Sequence, residues 1–330
     1  MILAAGFGTR LKPLTLNLPK PMFPLLNRPL LEHSLNFLSS QGIREIIVNV
    51  HHLPDEITKY FGDGADFGVH LEFSREEEIL GTAGGLKKAQ PFLENETFLL
   101  INSDILLDID LGKLLGFHAE KKSCLTLVVR QDPNPEKYET IELASDSRIT
   151  RFINASIKDP PEKVQRVMFT GVQIMEPGIF SRIPSGKFFS TAEDVFPKMI
   201  EEGLPVFGFL HENYWIDMGK RETYIQAQAD SLDGKLSLKT STSNHPEGPL
   251  IVPPVHIGKN CKIAKESQVG PHVVLGDECR IRSGAVVENS VLWKGVTIGP
   301  NAKVQNSIIG NGISVDSGKQ VKNQSLSSIG

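Results

Sequence analysis

A glycine-rich stretch followed by two cations begins the chain, and its residue types suit a polyphosphate. Residues 2–20 read ILAAGFGTRLKPLTLNLPK, in which Gly6 and Gly8 precede Arg10 and Lys20. Glycine adopts the positive-φ turns that aim successive backbone N–H groups at one anion, and small residues let a backbone approach a ligand closely. The stretch therefore predicts an anion-binding loop after a short first strand.

Two common phosphate-binding motifs do not fit this stretch. A P-loop requires G-x-x-x-x-G-K-[ST], and no Lys-Ser or Lys-Thr pair follows Gly8. A Rossmann fingerprint requires a third glycine, where Leu11 stands, and an acid at the end of the second strand. That strand, residues 45–50, ends in Asn-Val and is followed by His51. The third interpretation is a nucleoside triphosphate pocket of the sugar-nucleotide kind.

The first motifs, in this order, resemble the signature of the sugar-1-phosphate nucleotidyltransferases, also called NDP-sugar pyrophosphorylases. LAAGFGTRLKPLT is followed by PKPMFPLLNRPLLEH, a long ordered match that is far more specific than a single G-x-G. The resemblance implies that Arg10 and Lys20 are catalytic. It also implies a set of nucleotide-binding residues in two loops: Leu3, Ala4, Ala5, Gly6, Gly8, Thr9, Gly81 and Thr82.

A second motif, EEEILGTAGGL at residues 76–86, places three acids before a glycine-rich turn and a helix over residues 86–89. Taken alone, it is either a solvated acidic turn with a glycine N-cap, or a loop whose small residues let backbone groups meet the edge of a nucleobase. It is similar to the family's second signature, which lies beside the base. This form is most like the guanylyltransferase branch that is specific for mannose 1-phosphate.

Two aspartates are candidates for a metal site. Asp104 closely follows the apolar strand at residues 98–101. Ligands of open α/β sheets gather beyond such strand ends, and a carboxylate there suits Mg²⁺. An Asx-turn or helix cap is the alternative. Asp217 lies in YWIDMGK, residues 214–220, which resembles the family's Trp-x-Asp-x-Gly. The resemblance implies that Asp104 and Asp217 hold Mg²⁺. We expect Asp108 and Asp110 to cap a helix over residues 111–120 instead, and a further helix to run over residues 221–232.

The sugar half of the site departs from the family pattern. YETIE at residues 138–142 aligns with Tyr-Gly-x-x-Glu, but Glu139 replaces the glycine. The strand at residues 149–152 normally leads into Glu-Lys-Pro, and this chain has Asn-Ala-Ser at 154–156, so the lysine that contacts the sugar phosphate is missing. Lys158 and Lys187 are possible substitutes.

The resemblance still implies three sugar-binding residues, namely Tyr138, Glu142 and Gly171. An ordinary exposed strand glutamate is the alternative for Glu142. Further along, residues 190–196 read STAEDVF, in which Thr191 and Asp194 have the spacing of a capping box; the acids there could also reach the sugar.

Strand and helix patterns alternate through residues 1–232, which indicates a mainly parallel α/β sheet. The resemblance specifies a Rossmann-like, GT-A-like mixed sheet. We expect a catalytic domain at 1–232, a linker rich in Ser, Thr and Lys at 233–249, a repeat domain at 250–316 and a polar, frayed tail at 317–330.

The repeat domain shows aliphatic residues at a period of six. The first row is Ile251, Ile257, Ile263, Val269, Leu275, Ile281 and Val287, and after a one-residue slip it resumes at Leu292, Ile298 and Val304. Hexapeptide repeats of this kind form a parallel β-helix, because each short strand points one aliphatic residue inward. The pattern resembles the left-handed β-helix of many nucleotidyltransferases, with roughly four coils, and we interpret it as an assembly or regulatory module.

Composition and charge narrow the class of protein. The 330 residues carry a formal net charge of −4 with 22% charged residues, which argues against a mainly electrostatic nucleic-acid binder. Three cysteines form no C-x-x-C pair, so neither a disulfide framework nor a zinc site is indicated. No apolar run is long enough for a membrane span, and the N-terminus lacks a signal-peptide pattern, so we expect a cytoplasmic protein. The first strand begins almost at Met1, so we expect the true start to lie slightly upstream.

The resemblance implies transfer of a nucleotidyl group from a nucleoside triphosphate to a sugar 1-phosphate, giving an NDP-sugar and pyrophosphate. GTP with mannose 1-phosphate, or with a related manno-configured sugar, is the first choice. Two alternatives stay open: a catalytically weak regulatory subunit, because the sugar site departs from the pattern, and an enzyme that uses UTP or dTTP with glucose 1-phosphate. A β-helix acyltransferase is a more distant alternative. An exposed β-helix also favours self-association, so we expect a homo-oligomer.

Overall fold

The structure of the protein, a computed structural model, describes residues 1–131, 141–236, 238 and 248–328. It divides into two compact units. The first contains Met1–Gly6 and Leu35–Trp215, and the second contains Phe7–Ser34 and Ile216–Gly330. The second unit therefore joins the loop after the first strand to the C-terminal part of the chain. The domain boundaries expected at residues 232 and 249 stay a prediction.

Strands and helices alternate through residues 1–232. The strands are β1 (Ile2–Leu3), β2 (Pro24–Leu25), β3 (Arg28–Pro29), β4 (Glu45–Val50), β5 (His70–Arg75), β6 (Phe98–Asn102), β7 (Ile105–Leu107), β8 (Leu125–Gln131), β9 (Ile141–Ala144), β10 (Ile149–Phe152), β11 (Ala155–Ser156), β12 (Val164–Met175), β13 (Val206–Leu210) and β14 (Trp215–Asp217). The α-helices are α1 (Leu30–Ser40), α2 (Pro54–Phe61), α3 (Gly81–Lys88), α4 (Gln90–Leu93), α5 (Leu111–Glu120), α6 (Phe196–Glu201) and α7 (Arg221–Leu232). Short helical turns lie at Thr9–Leu11, Leu14–Leu16, Lys20–Met22, Ala65–Phe67, Pro177–Arg182 and Thr191–Val195.

A mixed sheet in the order β11-β10-β9-β12-β6-β1-β4-β5 forms the centre of the first unit. The part that contains β6, β1, β4 and β5 is parallel. The long strand β12 runs antiparallel to β6, β8 and β9, and β13 pairs in parallel with β8. The mixed sheet is confirmed, whereas the expectation of a mainly parallel sheet holds only for the part that carries β1.

Aromatic packing fixes the antiparallel part of this sheet against α6. The ring of Phe196 meets the rings of Phe152 and Phe169 edge-on, with centroids 5.5 and 6.3 Å apart. Phe196 is fully buried and Phe152 nearly so. Such edge-to-face pairs add to the free energy of burying the rings. Strands β10 and β12 therefore pack on α6 through these rings.

The start of α3 differs from the expectation. The helix begins at Gly81 rather than at residue 86, because a partner outside the helix satisfies its first N–H groups. The carbonyl of Phe189 accepts from Ala83 N at 2.9 Å and from Gly84 N at 3.1 Å. Tertiary contacts thus outweigh the low helix propensity of the glycines.

The cap beside Thr191 also differs from the expectation. The side chain of Ser190 accepts from Glu193 N at 3.2 Å, and Ser190 N donates to the Asp194 carboxylate at 2.7 Å. The cap therefore lies one residue earlier than the spacing of Thr191 and Asp194 predicted. Asp194 is a partner of this cap.

One of the two aspartates that the sequence predicted as helix caps is the N-cap of α5. Lys113 N donates to the Asp110 side chain at 3.0 Å, so Asp110 is the N-cap. Asp108 is not, and its backbone N–H donates to the carbonyl of Tyr214. The bounds of α5 and α7 agree with the predicted helices.

The C-terminal part of the second unit is a parallel β-helix, as the six-residue period predicted. Its strands are β15 (Leu250–Ile251), β16 (Val255–Ile257), β17 (Lys262–Ile263), β18 (Gln268–Val269), β19 (Val273–Leu275), β20 (Arg280–Ile281), β21 (Val286–Glu288), β22 (Val291–Leu292), β23 (Thr297–Ile298), β24 (Lys303–Gln305), β25 (Ile308–Ile309), β26 (Ser314–Val315), β27 (Gln320–Lys322) and β28 (Ser325–Leu326). They form three parallel sheets of five, five and four strands, so the stack has nearly five coils rather than four. Strand pairing continues to Leu326, past the expected end at residue 316. The left hand of the coil stays a prediction.

An aromatic group ties the first loop of the chain to α7 and to the β-helix within the second unit. Phe23 packs edge-on against Tyr224 and Trp293, with ring centroids 5.8 and 4.8 Å apart. The Trp293 indole donates to the Tyr224 hydroxyl at 3.3 Å, and that hydroxyl donates to the carbonyl of Pro24. Gln228 Nε2 donates to the same carbonyl at 2.7 Å. The β-helix therefore shares one core with the loop that carries Arg10 and Lys20.

In the described part of the chain, no helix is both long enough and apolar enough to cross a membrane.

Candidate active site

Three parallel strands of the first unit end together and place candidate residues at one edge. Leu3 of β1 lies opposite Asn49 of β4 and Asn102 of β6. The chain beyond each strand therefore emerges at the carboxyl edge of the sheet, where ligands of open α/β sheets bind. Residues 4–6 follow β1 there, and Asp104 lies two residues beyond β6. The sequence placed Asp104 at such an edge, and the register of these strands agrees.

A buried network links the first loop to the second signature. Ala4 N donates to Asn49 Oδ1 at 2.8 Å, and Asn49 Nδ2 donates to Glu76 Oε1 at 2.7 Å. The other oxygen of Glu76 accepts from Leu80 N at 2.9 Å. Asn49 and Glu76 are 2% and 3% exposed, so the first two of these hydrogen bonds are made away from water, and the bond from Leu80 N is partly buried. The network fixes the backbone at Ala4 and at the start of α3.

Sequence reasoning missed Asn49 and Glu76. Glu76 was grouped with Glu77 and Glu78 as an acidic turn, but of these three residues only Glu77 and Glu78 are exposed. The one related feature in the sequence is Gly85, where the structure shows that a Cβ would lie 2.5 Å from Glu76 Oε1. A glycine nine residues after a glutamate is a weak signal without a structure, because close approaches between distant residues are not visible in spacing.

The residues Gly81 and Thr82, predicted to bind nucleotide, are held by the segment after β12. Gly81 has φ of +72°, and a Cβ there would lie 2.6 Å from Phe189 O. Thr82 Oγ1 lies 3.0 Å from Thr191 Oγ1 and accepts from Thr191 N at 2.8 Å. Close packing against the segment after β12 therefore requires a small residue at Gly81. The contact of Gly81 and Thr82 with a nucleotide stays a prediction.

Gly171, predicted to lie near the sugar, sits at an irregularity of β12. The pairing of β12 with β8 shifts between Phe169 and Gln173, and Gly171 has φ of +83°. A Cβ at Gly171 would lie 2.6 Å from the Asn102 side chain. Gly171 therefore lets β12 approach the end of β6, beside the segment that carries Asp104.

Glu142, the second predicted sugar residue, is paired. Arg151 Nε lies 3.2 Å from Glu142 Oε1 across β9 and β10, and the Glu142 side chain is only 17% exposed. Glu142 is therefore not the freely exposed strand residue of the alternative interpretation. Tyr138, the third predicted sugar residue, and Glu139 lie outside the described residues.

The loop with Gly8 and Lys20 folds on itself within the second unit. Gly8 has φ of +59°, and its carbonyl accepts from Leu11 N at 2.9 Å and from the Thr15 hydroxyl at 3.2 Å. Lys20 is only 8% exposed, and its Cβ lies near Gly8. A lysine this deeply placed is held in position rather than solvated. Thr9 begins the short helical turn after Gly8.

Arg10 and Asp217 lie together in the second unit. A Cβ added to Gly219 would lie 2.4 Å from Arg10 Nη2 and 2.8 Å from Asp217 Oδ1. Only glycine leaves room for both side chains there. The arrangement brings a predicted catalytic cation next to a predicted metal ligand, which sequence position alone does not establish.

Arg10 also lines a basic cleft of about 450 Å³. Its lining consists of Arg10, Lys12, Pro13, Lys220, Arg221, Glu222 and Ser325, so four cations face one acid. The pKa of Glu222 is lowered, first by a hydrogen bond from its own backbone N–H and further by Arg221, so the acid stays ionised near neutral pH. The partial positive charge at the start of α7 adds to the four cations. The cleft is therefore suited to a polyanion.

We expect Lys220→Ala to weaken the binding of inorganic pyrophosphate about three- to tenfold, because a charge-assisted hydrogen bond at a partly exposed site is lost. Titration calorimetry at low and high salt measures this, and the loss should shrink at high salt because exposed charges are screened. Lys303→Ala, at an exposed position of β24, is the control. Equal affinities of the two variants would contradict the assignment of the cleft.

The described residues contain no group of three or more His, Cys, Asp or Glu side chains that could hold a metal ion by themselves. Mg²⁺ usually keeps several waters and is held by one or two carboxylates together with substrate phosphates. Asp104, at the sheet edge of the first unit, and Asp217, beside Arg10 in the second, are each a hard oxygen ligand of that kind. Each therefore fits a magnesium ion that binds with its nucleotide, and one ion shared by both stays a prediction.

The two units divide the predicted residues between them. The first unit contains Leu3, Ala4, Ala5, Gly6, Gly81, Thr82, Asp104, Glu142 and Gly171, and the second contains Gly8, Thr9, Arg10, Lys20 and Asp217.

Comparison with known families gives two matches in series. The model described as "Nucleotidyl transferase" matches residues 1–234, and the model described as "GMPPB C-terminal domain" matches residues 251–329. Together they cover nearly all of the chain.

Several named proteins are similar over most of their length. The chain is 34% identical to a UTP–glucose-1-phosphate uridylyltransferase of Synechocystis sp., with 91% of this chain and 84% of that protein covered. It is 32% identical to a mannose-1-phosphate guanyltransferase of Hypocrea jecorina, with 91% and 86% covered. Among solved structures it is similar to HddC from Yersinia pseudotuberculosis complexed with GMP-PN, with a TM-score of 0.58, 26% identity, and 70% of this chain and 97% of that chain covered.

Proposed function

Because this chain belongs to the nucleotidyl transferase family, we propose that it transfers a nucleotidyl group from a nucleoside triphosphate to a sugar 1-phosphate, releasing pyrophosphate. The match of the family model to residues 1–234, which include the glycine loop and both aspartates, carries the proposal. The basic cleft beside Arg10 supports it, because a triphosphate requires several cations around it.

GTP with mannose 1-phosphate, or with a related manno-configured sugar, is our first choice of substrates. Relatives named mannose-1-phosphate guanylyltransferase or guanyltransferase, at 29–32% identity, support it. The C-terminal match to the "GMPPB C-terminal domain" and the similar structure with GMP-PN support a guanine nucleotide. UTP with glucose 1-phosphate is the second candidate, since a uridylyltransferase is 34% identical.

The chain's own residues would act mainly by positioning and by neutralising charge, as phosphoryl chemistry requires. A sugar-phosphate oxygen would attack the α-phosphorus in line with the departing pyrophosphate. Arg10 would stabilise that pyrophosphate, and Lys20 would contact the α-phosphate region. Backbone groups of the first loop and of residues 81–82 would hold the nucleotide. The N–H of Ala4 is already bonded to Asn49, so its neighbours would make the contact there.

Mg²⁺ is the cofactor that we propose, with Asp104 and Asp217 each contributing a carboxylate. Bound there, it would neutralise charge on the reacting phosphates.

Pyrophosphate release by the purified chain tests the proposal. Each of the four common nucleoside triphosphates is paired with mannose 1-phosphate and with glucose 1-phosphate. We expect the highest kcat/KM for GTP with mannose 1-phosphate; a maximum for UTP with glucose 1-phosphate would favour the second candidate. Absence of release with every pair, while the chain is folded, would favour a regulatory subunit and overturn the proposal.

A further inference from the structure

Two of the three cysteines stack on each other in neighbouring coils of the β-helix. Lys262 lies opposite Arg280 in the paired strands β17 and β20. The residues before them, Cys261 and Cys279, therefore hold equivalent positions one coil apart, and Lys262 N donates to the Cys279 carbonyl at 2.8 Å. Neighbouring strands of a sheet lie about 4.8 Å apart. That spacing falls within the Cα separations, about 4.4–6.8 Å, that a disulfide bridges without backbone movement.

The two corners that carry these cysteines have the same backbone conformation. Each cysteine follows a residue with positive φ, which is +58° at Asn260 and +62° at Glu278. Glu278 N donates to the carbonyl of Lys259 at 2.8 Å, so the second corner is held directly against the first. Because the backbone repeats from one corner to the next, the two side chains point the same way. Cys279 belongs to the apolar core of the β-helix, and Cys261 packs against that core.

The two thiols differ in their access to solvent. Cys261 is half-buried, whereas Cys279 has no exposed surface. Cys261 Sγ donates to the carbonyl of Gly276 at 3.1 Å, and Cys279 Sγ donates to the carbonyl of Trp293 at 3.1 Å. A small reagent that arrives from solvent therefore meets Cys261 first, while Cys279 is shielded from it.

The contact between the thiols makes them unlike in acidity. The single hydrogen of the Cys279 thiol can turn from the Trp293 carbonyl to the Cys261 sulfur, and this hydrogen bond lowers the pKa of the Cys261 thiol. The same contact, followed by burial, raises the pKa of the Cys279 thiol. The thiolate is the form of cysteine that attacks an oxidant. Cys261 is therefore the nucleophile of the pair, and Cys279 stays protonated until it reacts.

We propose that Cys261 and Cys279 are an oxidisable pair, which hydrogen peroxide converts to a disulfide between two coils of the β-helix. The Cys261 thiolate attacks one oxygen of the peroxide, the O–O bond breaks, and a sulfenic acid forms. The other oxygen leaves as hydroxide and takes up the proton that Cys261 lost. The Cys279 sulfur then attacks the Cys261 sulfur, so the S–S bond forms while the S–O bond breaks, and the Cys279 proton leaves with that oxygen as water. Two thiols are thus oxidised and one peroxide is reduced to two water molecules.

The bridge lies next to the core that the β-helix shares with the first loop of the chain. Trp293, whose carbonyl accepts from Cys279, packs its ring against Phe23. Asn27 Nδ2 donates to the carbonyl of Leu275 at 2.8 Å, in the coil that contains Cys279. Oxidation removes the hydrogen that Cys279 donates to Trp293 and joins the two coils covalently. It therefore changes the coils on which this loop rests.

Limited oxidation of the purified full chain with hydrogen peroxide, followed by thiol blocking and peptide mass spectrometry, tests the proposal. We expect one internal disulfide between Cys261 and Cys279, seen as the loss of two hydrogen atoms and reversed by dithiothreitol. Cys124 is the internal control, because it is half-buried in the first unit and burial raises the pKa of its thiol. It should lose its thiol about tenfold more slowly than Cys261.

Replacing the buried partner separates the two steps. In Cys279→Ser no second thiol attacks the sulfenic acid at Cys261, so dimedone, which traps sulfenic acids, should label Cys261 about fivefold more than in the unchanged chain. The variant should fold, because Ser267 stands buried at the same position of the six-residue repeat. Three results would each overturn the proposal: sulfinic acid at Cys261 while Cys279 stays a free thiol, disulfides only between two chains, or oxidation of Cys261 no faster than that of Cys124.

Discussion

Replacing Arg10 by alanine is expected to lower kcat by about 10²–10³-fold without unfolding the protein. Arg10 is exposed, so its removal leaves no cavity. Its guanidinium lies beside Gly219 and Asp217 and lines the basic cleft, which we propose receives the departing pyrophosphate. Loss of one preorganised donor to such charge has an effect of this size. We expect kcat to fall more than KM rises, because the interaction strengthens as the pyrophosphate departs.

Asp104→Ala should give a loss of comparable size, since it removes one of the two carboxylates proposed to hold Mg²⁺. Steady-state kinetics across a Mg²⁺ titration measures both variants, and circular dichroism establishes that they fold. Lys262→Ala, exposed on β17, is the matched control. Near-normal turnover of either Arg10→Ala or Asp104→Ala would contradict the assignment of these residues to the site.

Replacing Glu76 by alanine is expected to lower the free energy of unfolding by about 2–5 kcal/mol, because it leaves one buried and one partly buried donor without a partner. These donors are Asn49 Nδ2 and Leu80 N. The neighbouring variant Glu77→Ala is the matched control, since Glu77 is exposed and its loss should change the free energy by less than about 0.5 kcal/mol.

The same change should also reduce turnover, because Asn49 orients the N–H of Ala4 in the first loop only while Glu76 holds its amide. Urea denaturation monitored by circular dichroism measures the stability of Glu76→Ala and Glu77→Ala side by side. Equal midpoints for the two variants would show that the buried network contributes nothing to stability.

Local patterns predicted much of the fold. The capping aspartates predicted where α5 begins, and the six-residue aliphatic period predicted the parallel β-helix. Both signals come from residues close together in the chain. The start of α3 was predicted five residues too late, because glycines read as a turn until the carbonyl of Phe189 is known to lie over them.

Long-range packing accounts for most of what the sequence did not predict. Glu76 looks like its neighbours in the sequence, and only the fold buries it against Asn49. The pairing of Arg151 with Glu142 depends on a register shift that no spacing rule foresees. The shared core of Phe23, Tyr224 and Trp293 joins residues about 200 and 270 positions apart.

That shared core also changes the interpretation of the β-helix. The sequence suggested an assembly or regulatory module attached after a linker. In the structure Ser325, in the last coil, lines the same cleft as Arg10, and Asn17 Nδ2 donates to the Ser327 and Ser328 hydroxyls at 3.2 and 3.1 Å. The end of the β-helix therefore supports the loop that we propose to bind the polyphosphate.

The central claim is a transfer that makes one sugar nucleotide and one pyrophosphate from each triphosphate consumed. Time-resolved ³¹P NMR of the purified chain with GTP, mannose 1-phosphate and Mg²⁺ follows all phosphorus-containing species at once. We predict that the GTP and mannose 1-phosphate signals fall together, while a nucleotide-sugar diphosphate and pyrophosphate rise in a one-to-one ratio. Release of orthophosphate from GTP with mannose 1-phosphate unchanged, or no change in any signal with this or any other nucleotide and sugar-phosphate pair, would contradict the claim.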